Sequence, residues 1–525
     1  MFFISCKQKY IVFVAVFSLL FSLLYNIPYY ITVLKGDIPV LIFAVILATA
    51  ETLIFWYLLA LNRWVLLITG AVTVFLAASF SYYMVTYKIM ISVGLIRVIM
   101  LADQREVSAF FEPAAVLWVI LSLLFFTLLM VWRFRIKKKP KPLAVIAMLV
   151  LLALIATAGR TVHPEAIKKH MAMPYVYYEH IYHYFLENRR INAFLRNKTD
   201  INSQYTFQFD NEGDPMTMVV VIGESLRGDR LGINGYPRPT TPNIEASGAY
   251  SFRNALSCTT LTSHSVACMM TRGTTDNWEL SLKETSVISV FRKLGFSTYW
   301  ISNQGRVGHD TWVGSIAIEA DNISFCDDRR ISGNQSGDQC LLPMVQNALD
   351  DPNPHKFIIV HTYGNHIRYD ERYGPEFEKF VPVCDKNKPM SECHGDELGN
   401  IYDNSVLAVD DFYAKLTGLM KERNVFLFYL SDHGEPLGEN GIRARGNNDN
   451  RFERTIPFIV WLSDSMKENQ PEIENIIKEN LDKAVSHDYL IYSALSCSGI
   501  KSIFVDDKLS VCNPDMVSYA DPYLE

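Results

Sequence analysis

The stretch Thr217–Ser225, TMVVVIGES in one-letter code, carries the pattern from which the fold class follows. Its first six residues are mostly apolar and β-branched, and a glycine, a carboxylate and a hydroxyl follow at once. Short β-branched runs of this kind that alternate with helical stretches are the signature of an α/β domain around a mostly parallel sheet. The stretch therefore predicts an α/β domain in which at least one strand ends in the carboxylate of Glu224.

Four later runs have the same form, and helical patterns separate them. They are Ser297–Ile301, Lys356–Val360, Val425–Leu430 and Pro457–Leu462. Three of them also end in polar residues: Ser302-Asn303-Gln304-Gly305, His361-Thr362-Tyr363-Gly364-Asn365-His366 and Ser431-Asp432-His433-Gly434-Glu435. Any one of these residues could simply belong to a turn. Together they predict a functional site, because ligands of such sheets bind beyond the carboxyl ends of the strands.

Glu224, Asp432 and His433 form a candidate metal site. Two carboxylates and an imidazole suit zinc, which takes oxygen and nitrogen ligands in a tetrahedron. The fourth position would be left for a nucleophile. No C-x-x-C pair occurs in the sequence, which argues against a cysteine zinc site.

The candidate nucleophile lies in Ser257–Cys268, SCTTLTSHSVAC, which places hydroxyl groups between two cysteines. The pattern predicts a helix over Ser265–Thr271, and the positive end of a helix dipole favours a phosphate. A threonine hydroxyl is a poor nucleophile until a bound cation lowers its pKa. The alternative is a Ser/Thr-rich loop that is closed by a disulfide and has no chemical role.

The first 160 residues are predicted to form a membrane domain. The chain of 525 residues is 50% hydrophobic, and its net charge of -6 argues against a nucleic-acid partner. Five apolar runs have spanning length. They are Tyr10–Leu34, Ile38–Leu61, Trp64–Thr86, Ala114–Trp132 and Pro142–Ala158.

The basic residues of this region predict its orientation. Lys7 and Lys9 precede the first run, Arg63 separates the second from the third, and six Lys or Arg residues between 133 and 141 separate the fourth from the fifth. If every run spans, all three basic segments lie on the cytoplasmic side. We therefore predict a transmembrane domain at 1–160, a linker at 161–214 and a domain at 215–525 that lies outside the cytoplasm.

The linker is rich in Tyr and His, and it predicts an interfacial helix with aromatic side chains at the level of the lipid headgroups. Metal binding by His180 and His183 is the alternative interpretation.

Cysteine usage independently predicts an oxidising compartment. Eight of the nine cysteines follow residue 215 as close neighbours, which favours the pairs Cys258/Cys268, Cys326/Cys340, Cys384/Cys393 and Cys497/Cys512. Only Cys6 falls on the cytoplasmic side.

Several motifs together resemble those of the bacterial phosphoethanolamine transferases, which belong to the alkaline phosphatase/sulfatase superfamily. They are Gly223-Glu224-Ser225-x-Arg227-x-Asp229, Ser257-Cys258-x-Thr260-x-Thr262, Gly364-Asn365-His366, Phe377-Glu378-Lys379-Phe380-x-Pro382-x-Cys384, Tyr402-Asp403-Asn404 and Ser431-Asp432-His433-Gly434-Glu435-x-Leu437-Gly438-Glu439-Asn440. The resemblance covers essentially the whole chain. It implies five transmembrane helices followed by a sulfatase-like α/β domain, with a mostly parallel sheet between helices. It also implies that this is a bacterial inner-membrane protein with a periplasmic catalytic domain.

The resemblance also implies roles for individual residues. Thr262 would be the nucleophile that accepts phosphoethanolamine from phosphatidylethanolamine, and zinc would be the cofactor. The implied zinc ligands are Glu224, Thr262, Asp432 and His433. The implied contacts with the phosphoethanolamine group are Thr260, Asn303, His366 and Glu106, although Asp103 replaces the asparagine that usually accompanies the glutamate.

Two departures from the family pattern concern the phosphate. Ile367 and Arg368 follow His366 where the family has Gly-Pro, and Arg443-Ala-Arg445-Gly replaces a segment with a second histidine. We therefore expect one tightly held zinc, with Arg445 binding the donor phosphate through two parallel hydrogen bonds. The alternative is that Arg445 is a solvated loop residue.

Other functions stay open at this point. The acceptor could be lipid A, the lipopolysaccharide core or a periplasmic glucan, and a monomer is expected. A glycerophosphate transferase of the lipoteichoic acid synthase type and a non-enzymatic envelope scaffold are the alternatives. A sulfatase is disfavoured, because Met270 occupies the position where the sulfatase cysteine motif requires Pro or Ala.

Overall fold

A computed structural model describes residues 6–34, 38–101, 107, 111–136, 149, 152, 157, 172–209, 214–304, 311–326, 337–386, 388, 390–393, 395–439 and 450–521. The chain divides into two compact units, Met1–Leu186 and Glu187–Glu525.

The first unit is helical. Its helices are α1 (Cys6–Tyr25), α2 (Ile27–Leu34), α3 (Ile38–Leu59), α4 (Arg63–Tyr87), α5 (Val93–Leu101), α6 (Pro113–Arg135) and the first part of α7 (Tyr175–Leu195). Within the described ranges, α3, α4 and α6 are long and apolar enough to cross a membrane. They correspond to the second, third and fourth predicted runs.

The first and fifth predicted runs have different outcomes. The run Tyr10–Leu34 was predicted as one span, but it is divided at Asn26 into α1 and α2. Pro28 lies directly after this point, and its ring nitrogen cannot donate the hydrogen bond that would continue α1. The run Pro142–Ala158 lies almost entirely outside the described residues and stays a prediction.

Helix α7 corresponds to the predicted linker helix, and its first turns pack on α4. The Tyr177 hydroxyl donates to the Thr73 carbonyl at 2.9 Å, and the hydroxyls of Tyr178 and Thr73 lie 2.8 Å apart. Tyr177 is buried, whereas Tyr182 is exposed. Only some of the aromatic side chains of this helix are therefore exposed and able to contact lipid headgroups.

The second unit is built on a seven-stranded sheet in the order β3–β9–β8–β2–β7–β5–β6. Its strands are β2 (Met216–Gly223), β3 (Tyr250–Ser251), β5 (Ser297–Ser302), β6 (Asn322–Phe325), β7 (His355–His361), β8 (Val425–Ser431) and β9 (Phe458–Leu462). The five strands from β8 to β6 are parallel, and β9 and β3 are antiparallel to their neighbours. All five predicted strands are present in this mostly parallel sheet.

Two small sheets complete the unit. In one, β1 (Gln208–Phe209) pairs with β11 (Ile500–Lys501) in antiparallel orientation, and in the other, β4 (Ala255–Leu256) pairs with β10 (Val485–Ser486) in parallel. The helices are α8 (Ile201–Gln204), α9 (Pro242–Ala246), α10 (Thr262–Met270), α11 (Leu280–Lys283), α12 (Val287–Lys293), α13 (Trp312–Ala317), α14 (Leu342–Leu349), α15 (Asp396–Met420), α16 (Arg451–Arg454), α17 (Asp464–Asn469), α18 (Pro471–Asn480) and α19 (Asp488–Cys497).

Both faces of the large sheet are buried, which accounts for the nearly continuous apolar sequence of β2. Met218, Val220 and Ile222 lie in the core that contains residues of α10, α12 and α19. Val219 and Val221 lie in the opposite core, together with residues of α14 and α15. Helices on both faces leave the carboxyl edge of the strands as the place where polar side chains collect.

Candidate active site

The three candidate metal ligands converge at the carboxyl ends of two neighbouring strands. β2 and β8 pair in register through Gly223 and Ser431, so the residues that follow them leave the sheet side by side. His433 Nε2 lies 3.6 Å from Glu224 Oε1 and 3.3 Å from Asp432 Oδ2. All three side chains are buried, and one ligand atom from each lies within 4.8 Å of the others. Among the described residues, no other three His, Cys, Asp or Glu side chains meet this condition. In particular, no group that contains His180 or His183 does so.

The protonation of His433 can be inferred from its hydrogen bond. Its Nδ1 lies 2.7 Å from the Gly434 carbonyl oxygen, which can only accept, so Nδ1 carries the proton. Nε2 is then the ring nitrogen that faces the two carboxylates, and it is the atom that would ligate a metal ion. Metal-ligating histidines are typically oriented by a backbone acceptor in this way.

Neighbouring donors hold the two carboxylates. The Ser225 hydroxyl donates to Glu224 Oε1 at 2.7 Å, and its backbone N–H donates to Asp432 Oδ1 at 3.0 Å. Gln304 Nε2 donates to the other oxygen of Glu224 at 3.1 Å. Ser225 has a φ of 55°, a left-handed conformation that is uncommon for a non-glycine residue. Backbone strain of this kind concentrates at functional sites.

These residues fit a zinc ion. Two buried carboxylates place negative charge around one point, beside an imidazole nitrogen, and a divalent cation would offset this charge. Zinc takes both carboxylate oxygens and imidazole nitrogens as ligands, and a catalytic zinc site has three protein ligands and one open position. Glu224, Asp432 and His433 would hold the ion, and the Thr262 hydroxyl would be a fourth ligand.

Thr262 lies beside this cluster at the first residue of α10. Its Oγ1 is 3.4 Å from Glu224 Oε2 and 3.5 Å from His433 Nε2. The helix was predicted over Ser265–Thr271, but it begins three residues earlier because the Leu261 carbonyl accepts from the N–H groups of His264 and Ser265. The hydroxyl of Thr262 therefore belongs to the first helical turn, where the dipole is positive.

Two of the predicted phosphoethanolamine contacts, Asn303 and His366, also follow strands of this edge. Asn303 comes directly after β5, and its Nδ2 donates to Asp338 Oδ1 at 2.8 Å. His366 is buried and stacks on Tyr363 with ring centroids 4.9 Å apart. Thr260 is buried in the loop before α10. Glu106 and Arg445 lie outside the described residues, so their roles stay predictions.

The loop that bears His366 packs on the backbone of Glu224. The Asn365 N–H donates to the Glu224 carbonyl at 2.9 Å. Gly364 has a φ of 40°, and a Cβ atom at this position would lie 2.8 Å from the same carbonyl oxygen. A glycine is therefore required for this close approach.

Sequence reasoning missed two side chains that shape the site. Asp338 accepts from Asn303 and from the backbone N–H groups of Tyr363 and Gly364, and so joins the ends of β5 and β7. Burial raises the pKa of its carboxyl, a shift that these three donors oppose. Gln304 lies in a quoted polar run but was given no role. Asp338 follows no predicted strand, so its sequence position carries no signal.

The four predicted cysteine pairs are all present as disulfides: Cys258–Cys268, Cys326–Cys340, Cys384–Cys393 and Cys497–Cys512. The first connects the loop before Thr262 to the body of α10. The prediction of neighbour pairing is confirmed.

Two family models match the chain. The model described as Sulfatase matches residues 216–500, and the model described as Phosphoethanolamine transferase EptA/EptB matches residues 46–187.

Relatives in Escherichia coli (strain K12) carry transferase names. The phosphoethanolamine transferase EptA is 30% identical over 325 residues, which cover 58% of this chain and 57% of that protein. The chain thus matches little more than half the length of this relative. The Kdo(2)-lipid A phosphoethanolamine 7''-transferase is 27% identical over 517 residues, 90% of this chain and 89% of the relative.

Two of the solved structures that are similar to this chain are phosphoethanolamine transferases. The integral membrane protein lipooligosaccharide phosphoethanolamine transferase A (EptA) from Neisseria meningitidis has a TM-score of 0.82 and 22% identity, over 97% of this chain and 99% of that chain. This likeness shows the fold. The C-terminal periplasmic domain of EptC from Escherichia coli, in a complex with Zn, has a TM-score of 0.54 and 29% identity, over 60% of this chain and 91% of that chain.

Proposed function

The chain belongs to the sulfatase family of the alkaline phosphatase superfamily, in its phosphoethanolamine transferase branch, and we propose on this premise that it moves phosphoethanolamine from phosphatidylethanolamine to an acceptor of the bacterial envelope. One observation carries the proposal. The hydroxyl of Thr262 lies within 3.5 Å of both Glu224 and His433, at the positive end of a helix. A nucleophile in this position can attack a phosphorus atom whose negative oxygens face the helix end.

The proposed reaction has two displacements. In the first, Thr262 Oγ1 forms a bond to the donor phosphorus, and the bond from phosphorus to the diacylglycerol oxygen breaks. The hydroxyl proton leaves Thr262, and the diacylglycerol oxygen takes up a proton as it departs. In the second, an acceptor oxygen attacks the phosphothreonine, and the bond to Oγ1 breaks.

Zinc is the proposed cofactor, held by Glu224, Asp432 and His433. When bound, it would lower the pKa of the Thr262 hydroxyl and offset charge on the phosphoryl oxygens. Support comes from the chemistry of the buried ligand set and from the Zn complex of the similar EptC domain. Asn303 and His366 are proposed to orient the phosphoethanolamine group, with Thr260, Glu106 and Arg445 as further predicted contacts.

The proposed location is the bacterial inner membrane, with five transmembrane helices and the second unit in the periplasm. The three apolar helices among the described residues, the basic segments and the four disulfides support it. The proposed acceptor is lipid A or the lipopolysaccharide core, because a relative that covers most of the chain is named for a Kdo(2)-lipid A substrate. A periplasmic glucan is the alternative acceptor.

The covalent intermediate provides the test. The full chain in lipid nanodiscs is incubated with zinc and phosphatidylethanolamine but no acceptor, and its peptides are then mapped by mass spectrometry. We expect phosphoethanolamine on the peptide that contains Thr262, with one diacylglycerol released for each modified chain.

Variants of Thr262 and of its neighbour Ser263 test whether the Thr262 hydroxyl is the one that is modified. Thr262→Ala should abolish both signals, Thr262→Ser should retain some activity, and Ser263→Ala should behave as the wild type. An active Thr262→Ala protein, or a modification on another peptide, would contradict the proposal.

A further inference from the structure

His487 lies between the loop that leads to the nucleophile and the loop that carries two metal ligands. It directly follows β10 and is completely buried. The Cys258 backbone N–H donates to its Nδ1 at 3.2 Å, and its Nε2 lies 2.9 Å from the Ser431 carbonyl oxygen. One imidazole ring therefore connects two segments that are far apart in the sequence.

The two partners determine the tautomer of this ring. A backbone N–H can only donate and a carbonyl can only accept, so Nδ1 is unprotonated and Nε2 carries the proton. Burial lowers the pKa of His487 to about 3, so the ring is neutral near neutral pH. Both nitrogens are engaged with the backbone, which leaves neither for proton transfer to a substrate.

Each end of this connection lies next to a reacting or ligating group. Ser431 immediately precedes Asp432, and its hydroxyl bonds to the backbone of Leu226 and His433. Cys258 is four residues before Thr262 and is joined by its disulfide to α10. A shift at either end would change the distance between Thr262 Oγ1 and the three ligands.

The backbone around His487 supports this connection. β10 pairs with β4 through Val485 with Ala255 and Ser486 with Leu256, which brings His487 alongside the start of the nucleophile loop. The ring then extends the contact from β4 to the end of β8. A side chain that reaches both loops is needed here, because the nucleophile and the ligands come from different strands.

We propose that His487 is a positioning residue that sets the nucleophile loop against the metal-ligand loop. This inference rests on the proposed function, because it assumes that Thr262 must attack from a fixed distance to the metal site. A misplacement of about 1 Å can cost about a hundredfold in rate. Loss of a residue that holds metal ligands in place without binding the metal typically lowers metal affinity or activity about 10–100-fold.

Three substitutions separate the two hydrogen bonds. The amide oxygen of His487→Asn can replace Nδ1 as the acceptor for Cys258, whereas the amide nitrogen of His487→Gln can replace Nε2 as the donor to Ser431. His487→Ala loses both bonds. His355 serves as the control, since it packs against Phe209 and Phe296 at the opposite end of β7.

The first measurement uses the zinc-loaded full chain in nanodiscs with phosphatidylethanolamine. We expect His487→Ala to lower kcat about 10–100-fold, with the zinc content and the KM for the donor unchanged. The kcat values of His487→Asn and His487→Gln should lie between those of the alanine variant and the wild type. The control variant His355→Gln should have the kcat of the wild type. A loss of zinc in proportion to activity, or an unchanged kcat in His487→Ala, would overturn the positioning role.

The second measurement does not depend on activity. Hydrogen exchange of the zinc-free full chain, followed by mass spectrometry, reports on the Cys258 amide. Exchange should accelerate at this amide in His487→Ala and His487→Gln but not in His487→Asn, which keeps the acceptor. Equal acceleration across all peptides would show general destabilisation and contradict the inference. If the wild-type chain releases no diacylglycerol, the proposed function fails, and the exchange pattern alone decides whether His487 connects the loops.

Discussion

Glu224, Asp432 and His433 are the proposed zinc ligands at the scale of single residues, because one ligand atom of each lies within 4.8 Å of the others. We expect Glu224→Gln, Asp432→Asn and His433→Gln each to lower the zinc content of the purified chain and to abolish phosphoethanolamine transfer. Removal of one of three protein ligands leaves too few donors for tight binding. Atomic absorption, before and after incubation with a chelator, measures the bound zinc.

Glu284→Gln is the matched control for these ligand variants. Glu284 is also buried, but it pairs with Arg272 away from the cluster. This variant should lose thermal stability while it keeps its zinc. Full zinc content in all three ligand variants would contradict the assignment.

The ion pair between Asp229 and Arg227 should make the stability of the fold depend on pH. Burial raises the pKa of this carboxyl, but two hydrogen bonds from the Arg227 guanidinium outweigh burial and hold the pKa below its usual value of 3.8. Because the folded pKa is depressed, the ion pair stabilises the fold at neutral pH and loses this effect as the pH falls through the folded pKa. We expect Asp229→Asn to destabilise the chain by about 1 kcal/mol or less at pH 7, the range of partly exposed pairs. The difference should vanish in acid, as measured by thermal unfolding at several pH values.

Helix α10 and its preceding loop form the element on which the proposed reaction depends. The disulfide Cys258–Cys268 closes this element over a sequence separation of 10, and Cys497–Cys512 closes a segment of similar length, 15, that follows α19. Each is expected to contribute about 3 kcal/mol through loop closure. Replacing both cysteines of either pair with serine should therefore lower the stability similarly.

The two double variants should differ in turnover. Only the Cys258/Cys268 variant loosens the loop that leads to Thr262, so at a temperature where both proteins are folded it alone should transfer phosphoethanolamine slowly. Diacylglycerol release, normalised to folded protein, measures this difference. Equal turnover would show that the disulfide stabilises the fold without positioning the nucleophile.

The whole molecule combines apolar helices with a disulfide-rich α/β unit, and this combination predicts its topology. A reporter fused after Lys139 should be active in the cytoplasm, and one fused after residue 200 should be active in the periplasm. Four disulfides in the second unit require an oxidising compartment. Alkaline phosphatase and green fluorescent protein fusions measure the two locations, and the reverse pattern would contradict the positive-inside assignment.

The sequence by itself determined the elements whose signals are local. The apolar run before Glu224 predicted β2, and the same pattern predicted the other four strands, because a buried strand needs a continuous apolar stretch. Short spacing likewise predicted the four disulfides. The polar ends of β2 and β8 indicated the three ligands, since parallel strands bring their carboxyl ends to one edge.

Other features were decided only by the tertiary structure. The start of α10 and the division at Asn26 are not among them, because local hydrogen bonds to Leu261 and the position of Pro28 account for both. Asp338 and His487 carry no local signal, because each forms its hydrogen bonds with segments distant in the sequence. Such a role exists only once β-strands from different parts of the chain lie side by side, so folding itself places these residues between the loops that they connect.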